Sequence, residues 1–543
     1  MPSSASAGVK LVKAPFFWAG LAICLAVGAG VAATSSLDVP PEIDHYRDMG
    51  AAEALLDGRW GEDPAFVGET GWYPPLLPTL MAVLATLTGK PLTWLYVHIG
   101  PLLNAAAPLA FYWLATSLFS RWAATLSLVC YLFLANWNAD TWTLASYSPW
   151  AWPVLFAQTF FFLALRVWLS ASERGDLTRS CLAGVLIGLT LLAHAAPAVL
   201  LVVVTLITTM QRGATTNWRQ ALRGLFAAGS TATLVCAPFL VPLVLRYGLH
   251  TQNPIPSRYG GMWLGTIIST QVSLRALGAL LGGVWLFSDR RHWAGWGRLS
   301  VLAGFGSAAA ALVYALVNQK LEARGIELPM LFPPFHFLFY FLAFEALLFG
   351  PGLEWLGHRI IRLLAPKLER RVSPGFVVGL LAWKGPLVAL TLIVIGVPGF
   401  LLRDDYTKWP RESRRLARDE RTRAIYTWAK DTLQPQDVVL ADTTTSMFGV
   451  VAAGHGIVTT YPTMTNPYVA LEPREQARDA MYAALRAGEV AEFTAFARRF
   501  GVTYVVAGES DEPCCWVNPN SVAGLPRVLQ LAGTTIFAIP SED

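Results

Sequence analysis

The sequence predicts an α-helical integral membrane protein of about eleven transmembrane helices, ending in a small α/β domain outside the membrane. Three observations predict it: a greasy composition, apolar runs of span length, and basic residues that fall on alternate connections. The chain has 543 residues, 54% hydrophobic and only 14% charged, with a mean hydropathy of +0.45. Soluble domains carry nearer about 25% charged residues. A net charge of +5 says little about partners, and no nucleic-acid partner is expected.

Apolar runs of roughly 17–25 residues can cross a bilayer. They fall near residues 15–34, 93–118, 122–137, 152–170, 181–194, 196–210, 224–246, 263–287, 299–317, 334–352 and 377–402. Residues 181–210 are split at His194-Ala195-Ala196-Pro197, because proline interrupts a helix. Cytoplasmic connections carry the excess of Lys and Arg. Lys10 and Lys13 precede the first run and make the N-terminus cytoplasmic. With eleven spans, Arg121, then Arg174 and Arg179, then Arg212, Arg219 and Arg223, then Arg290, Arg291 and Arg298, then Arg359, Arg362, Lys367, Arg370 and Arg371 all fall on that same side. This agreement requires Pro75–Gly89 to be a re-entrant or surface-lying helix. The first run also resembles a signal peptide, with small residues at Ala32 and Ala33. Its length favours an uncleaved anchor.

After Leu402 the composition becomes mixed, so the expected division is a membrane domain over 1–402, with a first outer loop at 35–92, and a soluble extracytoplasmic domain over 403–543. Strands are expected at Val438–Ala441, Ile457–Tyr461, Thr503–Ala507 and Thr535–Ile539 from their β-branched runs beside turn residues. Helices are expected at Arg411–Leu433, Arg474–Arg486 and Val490–Phe500. Alternating strands and helices predict an α/β layer. Cys24, Cys130, Cys181 and Cys236 lie in apolar runs and read as packing residues. Cys514 and Cys515 are adjacent in a polar stretch. No C-x-x-C occurs, so no metal or redox role is assigned.

Several residues could carry chemistry. Asp44 follows the first span and precedes an amphipathic stretch (Tyr46, Met49, Ala52, Leu55, Leu56). It reads either as the cap of that helix or as a general base for a hydroxyl acceptor. Arg275 lies about midway along the run 263–287. An intramembrane arginine is costly, so it snorkels, sits in an ion pair, or clamps a phosphate. His98, His194 and His336 lie near predicted outer ends of apolar segments. Each reads first as a core histidine, and with Asp44, Asp140 and Glu345 they could hold a divalent cation, although no pair has ligand spacing. No cofactor is certain. Trp137, Trp142, Tyr147, Trp150 and Trp152 fit an interfacial aromatic belt or a sugar-stacking surface. No Walker loop, G-x-S-x-G or dinucleotide fingerprint appears in a supporting context.

Asp44-His45-Tyr46-Arg47, followed by Ala51-Ala52-Glu53-Ala54-Leu55-Leu56-Asp57-Gly58-Arg59-Trp60 and by Tyr73-Pro74-Pro75-Leu76, resembles the first outer loop of GT-C glycosyltransferases. The similarity is to the branch with lipid A aminoarabinose transferases, protein O-mannosyltransferases and rhizobial lipopolysaccharide galacturonosyltransferases. In that family the loop carries an essential Asp, which falls on Asp44. Asp140 in Asn138-Ala139-Asp140-Thr141-Trp142 matches an acid of the second outer loop. Pro333-Pro334-Phe335-His336-Phe337-Leu338-Phe339-Tyr340 resembles a late-span motif that often begins with Arg. Phe500-Gly501-Val502-Thr503-Tyr504-Val505-Val506 is similar to outer domains at the end of many members. The chain departs from the aminoarabinose transferases at Tyr73, where they often have a lysine that contacts phosphate. Arg246, Arg258, Lys320 and Arg324 are the nearest basic residues on the outer side, after Arg275.

The resemblance implies transfer of a sugar, with inversion, from a lipid-linked polyprenyl-phosphate donor to a lipid, polysaccharide or protein hydroxyl at the outer face of the plasma or inner membrane. Asp44 is the expected catalytic residue, and Arg275, Tyr73, Asp140, His336, Lys320 and Arg324 are the expected substrate contacts. A polysaccharide polymerase, a lipid-linked glycan transporter or a non-catalytic membrane scaffold are the alternatives. Related halves, frequent in transporters, are not detectable. The topology is directly testable: a reporter fused after Asp543 is expected to be active outside, and one inserted near Pro366 active inside. Both reporters on one side would contradict eleven spans.

Overall fold

The computed structural model describes residues 14–134, 146–258, 264–288, 296–326, 328, 332–333, 335–368, 374–522, 524–531 and 533–540. The chain divides into two compact units. One draws on Met1–Ser36, Ile99–Cys236 and Gly260–Lys408, the other on Leu37–His98, Ala237–Tyr259 and Trp409–Asp543. Residues 37–98, expected with the membrane domain, thus share a unit with the tail.

The first unit is helical. Among the described residues, five helices are long and apolar enough to cross a membrane: Pro15–Thr34, Pro153–Arg174, Ala195–Tyr247, Leu299–Glu322 and Phe335–Leu364. The bent pair Leu76–Thr88 and Leu92–His98, with 112° between its arms, belongs to the second unit and is a broken span or a re-entrant segment. Two predicted spans are not single helices. The run 93–118 is Leu92–His98, Gly100–Leu103 and Ala106–Leu118. Pro101 and Pro108 lack the N–H that a continuous helix needs, and the Asn104 side chain between them donates to the Ser148 and Trp150 carbonyls at 3.0 and 2.6 Å. The run 263–287 is Leu264–Gln271 and Leu274–Ser288. Ser273 separates them, and its Oγ accepts from Ala276 N at 3.2 Å. Arg275 is therefore in a first turn, not at mid-span. The expected break at His194 is present, with that residue extended at φ −163° and ψ 130°. Beyond it the helical path continues to Tyr247, through a π turn at Gly213–Asn217.

Small residues let the helices Leu274–Ser288 and Phe335–Leu368 approach closely, as in membrane bundles. A Cβ on Gly278 would run into Phe349, and one on Gly282 into the Leu348 carbonyl.

The second unit centres on a five-stranded sheet. Its strands are β1 (Val438–Leu440), β2 (Gly456–Ile457), β3 (Val502–Gly508), β4 (Arg527–Leu531) and β5 (Thr534–Ala538), in the order β2-β1-β3-β5-β4. β1 is parallel to β2 and β3, while β5 is antiparallel to β3 and β4. Ile457–Tyr461 was expected as a longer strand, but only its first residue is in the sheet, and β4 was not expected. The expected helix Arg411–Leu433 is two, Trp409–Arg418 and Glu420–Thr432, because Asp419 caps the second by accepting from Thr422 N. Alternation along β1 fills two cores. Val438 and Leu440 face Met481, Tyr482 and Phe493, while Val439 faces Ile425, Trp428 and Phe66.

Phe66 comes from the first loop, so that loop completes the second core. The helix Ile43–Leu56, here the loop helix, packs on the tail. Tyr46 meets Phe448 with ring centroids 4.6 Å apart. Lys430 and Tyr426 both donate to the Glu53 carboxylate. At Gly50 the fit is closest, because a Cβ there would run into the Val451 carbonyl oxygen. Gly50→Ala is expected to cost about 1–3 kcal/mol and to lower the thermal unfolding temperature of the purified protein. An unchanged melting curve would contradict this packing.

Candidate functional site

The site forms on the first two turns of the loop helix. Glu42 caps it, accepting from Asp44 N at 2.8 Å. Asp44 is therefore not the cap; it occupies the first turn, where the helix dipole favours negative charge. Arg47 and Asp48 follow at i+3 and i+4, on the same face. Arg47 Nη1 donates to Asp44 Oδ1 at 2.7 Å. Its Nε and Nη2 donate to Asp48 Oδ1 at 3.0 and 2.9 Å. The guanidinium lies over the Tyr73 ring, 3.5 Å from its centroid, a cation–π contact. Met464, from the tail, places its Sδ 3.7 Å from Nη1.

Exposure is graded across this cluster. The Asp44 side chain is 32% exposed, that of Arg47 10% and that of Asp48 2%. Asp44 is thus the more exposed of the two carboxylates that Arg47 holds. Burial lifts the Asp48 carboxyl to about 7, against a downward pull from Arg47. Burial, with the charge of Asp44 second, lifts Glu42 to about 8. Burial works against the charge of Arg47 but is outweighed by Asp48, Tyr73 and Asp44, which keep it protonated. The phenol of Tyr73 is pushed above its ordinary value by burial. His45 drops to about 3, again through burial, so its ring is neutral around pH 7. Chemically, the cluster offers one accessible carboxylate oriented by one fixed cation.

Of the residues singled out in the sequence, the structure brings Asp44 and Tyr73 together through Arg47. Asp140 lies outside the described residues. His98, Arg246 and Arg258 belong to the second unit with Asp44 and Tyr73, whereas His194, His336, Arg275, Glu345, Lys320 and Arg324 belong to the first. His336 contacts the Pro333 carbonyl through Nδ1 at 3.1 Å, and its ring lies 4.3 Å from that of His194. Arg275 Nε donates to Glu345 at 2.8 Å, and its Nη2 donates to the Thr270 carbonyl at 3.0 Å. This is the ion-pair arrangement. Lys320 and Arg324 are exposed. Sequence reasoning passed over Arg47 as a site residue, and Glu42, Asp48 and Met464 with it. The i, i+3, i+4 spacing of Asp44, Arg47 and Asp48 was the available signal, whereas nothing in the sequence points to Met464. Among the described residues, three metal-ligating groups with donor atoms within 4.8 Å of one another occur at Glu512, Cys514 and Cys515.

No protein-family model matches the chain, and no curated protein does. Solved structures do. ArnT from Cupriavidus metallidurans bound to undecaprenyl phosphate superposes with a TM-score of 0.55 at 12% identity, over 96% of this chain and 98% of that one. Its apo state gives 0.54 at 13% identity over 99% of both chains. The Archaeoglobus fulgidus oligosaccharyltransferase AglB, in complex with an inhibitory peptide and a dolichol-phosphate, gives 0.55 at 13% identity over 91% of this chain and 69% of that one. The chain has the GT-C fold. The GT-C likeness spans nearly the whole molecule, in accord with the resemblance read from the first loop. At this identity it establishes the fold, and the chemistry has to be argued from the residues.

The buried carboxyl of Asp48 makes stability depend on pH. Folding holds a proton there that the unfolded chain releases near pH 4. That contribution is fully present below the unfolded value and is lost as pH rises through about 7. His45 has the opposite sign: its contribution is present above about 6.5 and is lost as pH falls toward 3. Asp48→Asn removes only the first dependence. Its melting temperature relative to wild type is expected to rise by at least about 2 °C between pH 5 and pH 8. A difference that stays constant across that range would contradict the burial of an ionisable group.

Proposed function

We propose that this protein is a membrane glycosyltransferase that moves a sugar from a polyprenyl-phosphate carrier to an acceptor hydroxyl at the outer face of the membrane. The observation that carries the reading is the graded cluster on the loop helix, in which Asp44 alone of the linked charges is open to a substrate. In this reading Asp44 accepts the hydroxyl proton while the acceptor oxygen bonds to the anomeric carbon. The bond from that carbon to the carrier phosphate breaks, and polyprenyl phosphate departs with the electron pair. One displacement inverts the sugar carbon. The carrier class is supported by the fold shared with ArnT bound to undecaprenyl phosphate and with AglB bound to a dolichol-phosphate. The acceptor is a lipid, a polysaccharide or a protein. The N-terminus is cytoplasmic and residues 403–543 are extracytoplasmic, as the basic-residue pattern expects.

A cation must meet the developing charge on the phosphate. Lys320 and Arg324, expected from the sequence as substrate contacts, are exposed, whereas the guanidinium of Arg275 is engaged by Glu345 and Thr270. Asp48 is turned to Arg47 and Glu42 to the Asp44 amide.

Asp44→Asn keeps the shape and removes the charge. Expressed in a deletion strain, it is expected to form product at least about 10²-fold more slowly with protein level intact, read by mass spectrometry of the cell's glycans and lipids. Near-normal product would contradict the catalytic assignment, and it is what a non-catalytic scaffold would give.

A further inference from the structure

Asp48 is sealed more deeply than Asp44, yet the chemistry above does not use it. A buried carboxylate is costly unless it is paired and hydrogen-bonded. Its pairing is one-sided. Oδ1 takes both Nε and Nη2 of Arg47, while Oδ2 has no hydrogen-bond partner among the described residues. The other end of the guanidinium, Nη1, reaches Asp44. Tyr73 lies flat beneath the plane.

We propose that Asp48 is a positioning residue for Asp44: by occupying the Nε edge of Arg47, it limits that arginine to one hydrogen bond on Asp44 and keeps the second Asp44 oxygen open to the acceptor hydroxyl. This rests on the glycosyl-transfer reading. Guanidinium and carboxylate groups favour two parallel hydrogen bonds. Without Asp48, Arg47 is free to turn its fork onto Asp44 and engage both oxygens. A carboxylate held that way is a weaker proton acceptor and has no free oxygen aimed at the substrate. Asp48 thus keeps the arginine from closing the site it serves.

The test uses permeabilised membranes of the deletion strain carrying each full-length variant, with their endogenous acceptor and graded additions of the lipid-linked donor fraction extracted from that strain. Product is measured by mass spectrometry per folded protein. Asp48→Asn is expected to lower turnover about 10-fold or more with little change in the donor concentration at half-maximal rate. In an Arg47→Gln background the same substitution is expected to change turnover less than about 2-fold, because residues that act through one another are not additive. An equal fold-loss in both backgrounds would overturn the proposal. Asp48→Leu empties the Nε edge of Arg47 altogether, and because product is counted per folded protein, turnover should fall whatever the variant's stability. Full turnover in Asp48→Leu would overturn the positioning role. Asp44→Asn, run alongside, separates the two readings. Its inactivity beside a fully active Asp48→Leu removes the positioning role alone, and its activity removes the underlying chemistry.

Discussion

One guanidinium between two carboxylates is the constraint on which the candidate site depends. Arg47 bonds to Asp44 on one edge and to Asp48 on the other, with an aromatic ring beneath it. Removing one partner from a buried ion pair is typically worth 3–5 kcal/mol, so the three charges are held as a set. That set needs the first two turns of the loop helix to stand at fixed height and rotation against their surroundings. The helix achieves this where Gly50 meets Val451 and Tyr46 meets Phe448.

The tail is therefore part of the frame of the site. Within the second unit, one loop of the tail ties together segments far apart in sequence. Asn466 donates to Asp63 at 2.8 Å and to the Thr70 carbonyl at 3.1 Å. The Pro467 carbonyl accepts from the amides of Gln252 and Asn253, each at 2.9 Å. Tyr468 stacks on Tyr247 with ring centroids 4.8 Å apart, and Tyr247 donates to Glu69. Met464, in the same loop, reaches Arg47. Burying Asp63 lifts its carboxyl to about 6. The junction is thus polar, buried and hydrogen-bonded, which fixes geometry more than it adds stability.

Local signals in the sequence were legible where one short segment carries them. The loop helix follows from its apolar spacing, the break at His194 from its proline, and most of the sheet from β-branched runs. What was not legible depends on contacts across the fold. Asp44 looked like a cap because it precedes the apolar pattern, yet Glu42 takes that place and Asp44 pairs with Arg47 instead. The run 263–287 looked like one span because hydropathy does not register a single serine that accepts from the backbone. Its split puts Arg275 one residue after a helix start, within reach of Glu345. Met464 is distant in sequence from Arg47, and no periodicity links them.

The account turns on where the lipid carrier places its phosphate. A structure of the protein bound to undecaprenyl phosphate is the direct measurement. The expected result is phosphate density facing the Asp44 carboxylate, with room between them for the reacting sugar carbon and the acceptor hydroxyl. Phosphate bound where no sugar attached to it could meet Asp44 would contradict the account.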